Sequence, residues 1–189
     1  MSTTYNVAVL IGSLRKKSFH RLLAQALVGL ALPSLCLEIV EVGDLPFYNE
    51  DLEPETPATW QALRQRVQQA DAVLLLTPEY NRSVPAVLKN AVDVLSRPYG
   101  KGALTGKPAA VISASPGAMG GFGANHHPRQ SLVGVGAKTM ASPEAYIGAV
   151  ASLFDEQGAL VNEKTREFLQ VFMKAFANWT AAVGRPAYV

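Results

Sequence analysis

A parallel β-sheet wound in two directions, with helices on both faces, is the fold class this sequence predicts. Short apolar runs alternate with longer segments of helical period, the signature of repeated βαβ units. The runs are apolar at nearly every position, as strands buried on both faces are. The 189 residues, 49% hydrophobic and 17% charged, suffice for one core that buries about 70% of the unfolded chain's surface. No internal repeat, low-complexity tract or linker marks a second domain, so one domain over residues 1–189 is expected.

The elements follow in order. Val7-Ala8-Val9-Leu10-Ile11 reads as a first, fully buried strand. Residues 19–32 are helical, with Leu22, Leu23, Ala26, Leu27 and Leu30 on one face and Pro33 as the stop. A second strand spans 35–42. The stretch 43–57, rich in Pro and acid, is too long for an ordinary connection and reads as a functional or packing loop. Thr56 is placed to cap a helix over 57–70, with Pro57 in its tolerant first turn. Residues 71–76 form a third strand, and Ser83 reads as the cap of a helix over 84–96. A fourth strand covers 108–113. A glycine-rich segment, 117–124, leads into a helix over 126–133, and a fifth strand spans 138–147. The last helix, 163–183, carries Phe168, Leu169, Phe172, Phe176 and Trp179 on one stripe, suited to a core or a dimer seam.

Composition narrows the function classes. A single cysteine, Cys36, excludes an intramolecular disulfide and a cysteine-ligated cluster; at mid-strand it reads as a small buried hydrophobe. A formal charge of +2 argues against general nucleic-acid binding, although a pI near 8.7 allows a local basic patch. No apolar run reaches the roughly 18 residues of a membrane span, and the first residues lack a signal peptide's cationic flank. A soluble, cytoplasmic protein that binds neither membrane nor nucleic acid is the expectation. His126 and His127 are adjacent and cannot share a face as a metal-ligand pair, so no metal site is expected. Asn90 and Asp93, one helical turn apart, suit capping or loop tethering better than catalysis.

In a doubly wound sheet, ligands sit beyond the carboxyl ends of the strands where strand order reverses. Three loops therefore matter. After the first strand comes Gly12-Ser13-Leu14-Arg15-Lys16-Lys17-Ser18. Its hydroxyls, arginine and following helix N-terminus suit a terminal phosphate. One glycine is too few for a dinucleotide loop, and no Gly-Lys-Ser/Thr follows for a Walker loop. A solvated basic turn is the competing reading, and Lys16 and Lys17 are expected in solvent. After the third strand, Thr77-Pro78-Glu79-Tyr80-Asn81 can bring backbone groups to the edge of a flat heterocycle. After the fourth, Ser115-Pro116-Gly117-Ala118-Met119-Gly120-Gly121 allows close backbone approach to a ring. Neither holds a nucleophile beside a base.

These three segments, with Val84-Pro85-Ala86-Val87-Leu88-Lys89-Asn90-Ala91-Val92-Asp93, resemble the NAD(P)H-dependent FMN reductase family. That family includes bacterial quinone and chromate reductases. The resemblance implies a flavodoxin-like sheet of five parallel strands in the order 2-1-3-4-5. It implies one FMN, with Ser13, Arg15 and Ser18 at its phosphate. Pro78, Glu79, Tyr80 and Asn81 would lie along the isoalloxazine, with Ser115 and Gly117 closing the site. Phe19, His20 and Pro116 complete the expected cofactor set, His20 standing where family members commonly have Asn. The implied activity is hydride transfer from NADPH or NADH through the flavin to quinones, free flavin or metal oxyanions such as chromate. A ping-pong order is expected, with no catalytic side chain, in a homodimer or homotetramer. A flavodoxin-like electron carrier without pyridine-nucleotide turnover is the alternative, disfavoured by the basic pI and by Arg15. A phosphate-binding interaction module that has lost the cofactor is a third.

Overall fold

The computed structural model describes residues 3–184. Its sheet strands are β1 (Tyr5–Ile11), β2 (Leu35–Val40), β3 (Ala72–Thr77), β4 (Pro108–Ala114), β5 (Lys138–Thr139) and β6 (Ala145–Ile147). The helices are α1 (Phe19–Leu30), α2 (Ala58–Gln69), α3 (Ala86–Leu95), α4 (Phe122–Gly134) and α5 (Glu163–Val183). All strand pairs are parallel, in the order β2-β1-β3-β4-β5, with β6 also pairing with β4. This is the expected flavodoxin-like arrangement, and the order of winding across the sheet reverses between β1 and β3.

Strand pleating divides the core in two. Val7, Val9 and Ile11 of β1 face one layer with Leu23 and Leu27 of α1 and Phe172 and Phe176 of α5. Ala8 and Leu10 face the other layer, with Trp60 and Leu63 of α2 and Leu88 and Leu95 of α3. Because β3 and β4 are covered on both sides, all their residues are buried, which is why their sequences lack alternation. The stripe on α5 is core: Leu169, Phe172 and Phe176 are fully buried, while Phe168 and Trp179 pack at its margin. Among the described residues no helix is long and apolar enough to cross a membrane.

Several expectations change. The fifth strand is two short ones, 138–139 and 145–147, because Pro143 between them has no N–H for the ladder. Helix α1 stops at Leu30, two residues early, as Ala31 turns extended ahead of Pro33. Thr56 does not cap α2: its hydroxyl donates to Glu53 O, and Pro57 takes the cap position. Ser83 does not cap α3 either, since Pro85 occupies that position and the Ser83 hydroxyl bonds His127. Helix α4 begins at Phe122 rather than 126, taking Pro128 into its interior. Cys36 is exposed, not buried. It lies on edge strand β2, where even positions face the end of α2 and a surface cleft of about 420 Å3 beside Arg66 and Gln69.

Candidate functional site

All three loops emerge at the carboxyl edge of the sheet, beside the reversal between β1 and β3. The first is pinned by Gly12 N donating to Leu76 O at 2.8 Å. A Cβ at Gly12 would stand 3.1 Å from Pro78 Cδ, so the first and third loops touch. Ser18 caps α1, its hydroxyl accepting from Arg21 N at 3.4 Å. The first-turn N–H groups of Phe19 and His20 have no intrahelical acceptor. Ser13 is buried, and its hydroxyl has no hydrogen-bond partner among the described residues. Arg15, Lys16 and Lys17 are exposed, and none is ion-paired among the described residues.

His20 lies beneath this loop. It is 5% exposed, and its Nε2 is buried without a hydrogen-bond partner among the described residues. Burial pushes its pKa from 6.5 down to about 4, against the opposing pull of the Thr77 and Ala114 backbone. Those residues end β3 and β4, so the imidazole sits under the carboxyl edge of both.

The loop after β3 is a tight reversal. Tyr80 and Ser83 exchange backbone bonds of 3.0 and 2.9 Å, with Asn81 (φ 50°) and Arg82 (φ 65°) at the tip. Consecutive positive φ values are those of a type I′ turn, which Asn adopts readily and Arg only under constraint. Glu79 supplies that constraint. Its Oε2 accepts from Ala124 N at 3.2 Å and its Oε1 from Arg82 Nη1 at 3.0 Å. Its carboxylate is thus committed to the N-terminus of α4, which has no cap of its own, and only its backbone remains for a ring. Ser83 Oγ and His127 Nδ1, 2.8 Å apart, fasten the same turn to α4.

The loop after β4 is interlocked with the chain beyond β6. Ser115 N donates to Ile147 O at 3.0 Å, and Val150 N to Ser115 O at 3.1 Å. The Ser115 hydroxyl donates to Gly117 O at 3.1 Å. Gly120, at φ +58°, passes so close to β6 that a Cβ would stand 2.5 Å from the Tyr146 backbone. Pro116 and Gly117 are exposed at the rim.

Beside the first and third loops opens a cleft of about 630 Å3. Among the expected residues, Arg15 and Tyr80 line it. Its other walls include Leu14, Leu45, Phe47, Val87 and Asn90, which sequence reasoning had not assigned to a site. The one available signal was the overlong 43–57 loop, which provides Leu45 and Phe47. Ser13, Ser18 and His20 are buried and do not line it, and neither do Ser115, Pro116 and Gly117, which follow β4. Asn90 does tether a loop, as expected: its Oδ1 accepts from Tyr48 N at 2.7 Å and its Nδ2 donates to Pro46 O at 3.0 Å. No cluster of three metal-ligating side chains exists among the described residues.

A loop ahead of a helix N-terminus and an adjoining cleft at the switch point of a flavodoxin-like sheet fit a flavoprotein of the reductase class. The family model for NADPH-dependent FMN reductase matches residues 5–152, and the chain belongs to that family. It is 60% identical over 180 residues to a quinone reductase of Pseudomonas putida, covering 95% of this chain and 96% of that one. It is 43% identical over 173 residues to a 2-hydroxy-1,4-benzoquinone reductase of a Burkholderia species, covering 92% and 94% respectively. The solved structure of FerB, a flavoenzyme NAD(P)H:(acceptor) oxidoreductase from Paracoccus denitrificans, superposes with a TM-score of 0.91 at 43% identity. That match covers 96% of this chain and 100% of FerB. The rim fits the family's FMN: the Ser13 hydroxyl, the Phe19 and His20 amides of α1 and the exposed cations Arg15, Lys16 and Lys17 have no partner among the described residues and belong to one short segment, as a phosphate site needs.

Proposed function

We propose that this protein is an FMN-dependent oxidoreductase that uses NADPH or NADH to reduce quinones, with free flavin and metal oxyanions such as chromate as further acceptors. The observation that carries the proposal is the meeting of three loops at one sheet edge, beside an apolar cleft of about 630 Å3. Ser13, Arg15 and Ser18, with the first amides of α1, would hold the phosphate. Phe19 and His20 would back that turn. The backbone of Pro78, Glu79, Tyr80 and Asn81 would border the ring, and Ser115, Pro116 and Gly117 would close its far side.

When bound, the flavin supplies hydride acceptance from a nicotinamide and electron delivery to an acceptor. The chain's own part is to bind, orient and exclude water. Backbone N–H groups of the third and fourth loops can stabilise negative charge at the ring's polar edge, as an oxyanion hole does. Leu14, Leu45 and Val87 give the cleft its apolar lining. Donor and acceptor would take turns in this one cleft, a ping-pong order. We place the protein in the cytoplasm as a homodimer or homotetramer, with one FMN-binding domain over residues 1–189.

A visible spectrum of the purified protein, before and after anaerobic NADPH, tests cofactor and donor together. The expected result is a flavin band that bleaches and returns when a quinone is added. Colourless protein that takes up no FMN would refute the reading. Initial-rate plots for NADPH and quinone should run parallel; intersecting lines would reject the shared cleft.

A further inference from the structure

The loop after β2 holds its shape through side chains of the two helices α2 and α3. Asn90, 6% exposed on α3, spends its amide on the Pro46 and Tyr48 backbone. Trp60 Nε1 donates to the same Pro46 carbonyl at 3.1 Å. The Tyr48 ring stacks on Trp60 at 5.3 Å between centroids, with Arg97 over its other side at 5.6 Å. Phe47, between these two anchored residues, is 75% exposed and lines the cleft. An exposed phenyl on a backbone tied at both neighbours is a wall with little freedom left to lose on binding. It lines the cleft together with Tyr80, Leu14 and Val87, and Arg15 is the single cation among the lining residues.

We propose that Phe47 is a specificity-determining wall for a neutral, planar, two-ring acceptor of the 1,4-quinone type, and that Asn90 is the positioning residue that holds it. The proposal rests on the reductase reading. The apolar lining suits a neutral ring.

The test uses 2,3-dimethyl-1,4-naphthoquinone, whose blocked ring carbons prevent addition of the exposed Cys36 thiol. Its Kd for the oxidised protein is measured by calorimetry without NAD(P)H, and its KM by turnover. Ferricyanide, a compact anion with no ring, serves as the second acceptor. Phe47→Ala, an exposed change, should raise the quinone Kd and KM about tenfold, the scale of one aromatic contact. Ferricyanide turnover and bound FMN should stay unchanged. Asn90→Ala should reproduce that selective loss, and the double variant should be no worse than the more affected single one. An unchanged quinone Kd in Phe47→Ala, an equal loss toward ferricyanide, or additive effects would overturn the proposal. A wild-type protein without NADPH turnover would refute the reductase reading instead, and the calorimetric arm would still decide the wall.

Discussion

His20 is the residue whose chemistry most depends on where the fold puts it. Its position after the phosphate loop was legible in the sequence, but its burial was not, because the imidazole is covered by the ends of two distant strands. With the native pKa lowered to about 4 from 6.5, the unfolded chain takes up a proton that the native protein refuses. Stability from this residue is therefore full above pH 6.5 and is lost as pH falls toward 4, roughly 3 kcal/mol in all. Urea denaturation at pH 7 and pH 5 should show that decline in the wild type and a flatter response in His20→Asn. Arg15 behaves oppositely: exposed and unpaired, it costs little to remove from the apoprotein. Arg15→Ala should weaken FMN binding by roughly 1.5–3 kcal/mol, read as the FMN dissociation constant, with apoprotein stability unchanged.

At the level of helices and loops, tertiary partners replace the local caps that spacing suggests. Thr56 and Ser83 had the right residue type ahead of a helix, yet each hydroxyl is turned to another acceptor or partner. Helix α4 starts four residues early because a carboxylate from a different loop, Glu79, satisfies its Ala124 N–H. Glu79→Ala should cost about 1–2 kcal/mol in chemical denaturation, the scale of a lost cap, since the partner Arg82 is largely exposed and the ion pair itself adds little. Gly120→Ala tests the interlock of the fourth-strand loop with β6. The clash is with backbone, and φ is +58°, so neither neighbour can yield. We expect loss of soluble, FMN-loaded protein on expression, whereas Gly29→Ala, with nothing within 4 Å, should be well tolerated.

Across the protein, the reversal between β1 and β3 gathers the rim loops and the apolar cleft at one end, with the basic turn beside it. A formal charge of +2 is too small to steer anions, but Arg15, Lys16 and Lys17 concentrate positive potential where the cleft opens. Raising salt from about 0.01 M to about 0.15 M shortens the Debye length from about 30 Å to about 8 Å. The kcat/KM for NADPH should fall over that range while kcat stays level. A flat profile would mean that the patch is only a solvated turn.

Strand and helix identity, the parallel two-faced sheet and the positions of the three rim loops were legible in the chain's own pattern. Continuous apolar runs and helical periods are set by burial on two faces or one, and that information is local. The α5 stripe was legible in the same way. The exposure of Cys36, the division of the fifth strand, the burial of His20 and the cleft wall of Leu45 and Phe47 were not. Each depends on which distant segment covers a residue or satisfies its polar groups: the end of α2, a proline without its N–H, the tips of β3 and β4, the amide of Asn90. Such pairings are settled only when the layers pack, because a side chain's environment is made by neighbours far away in sequence.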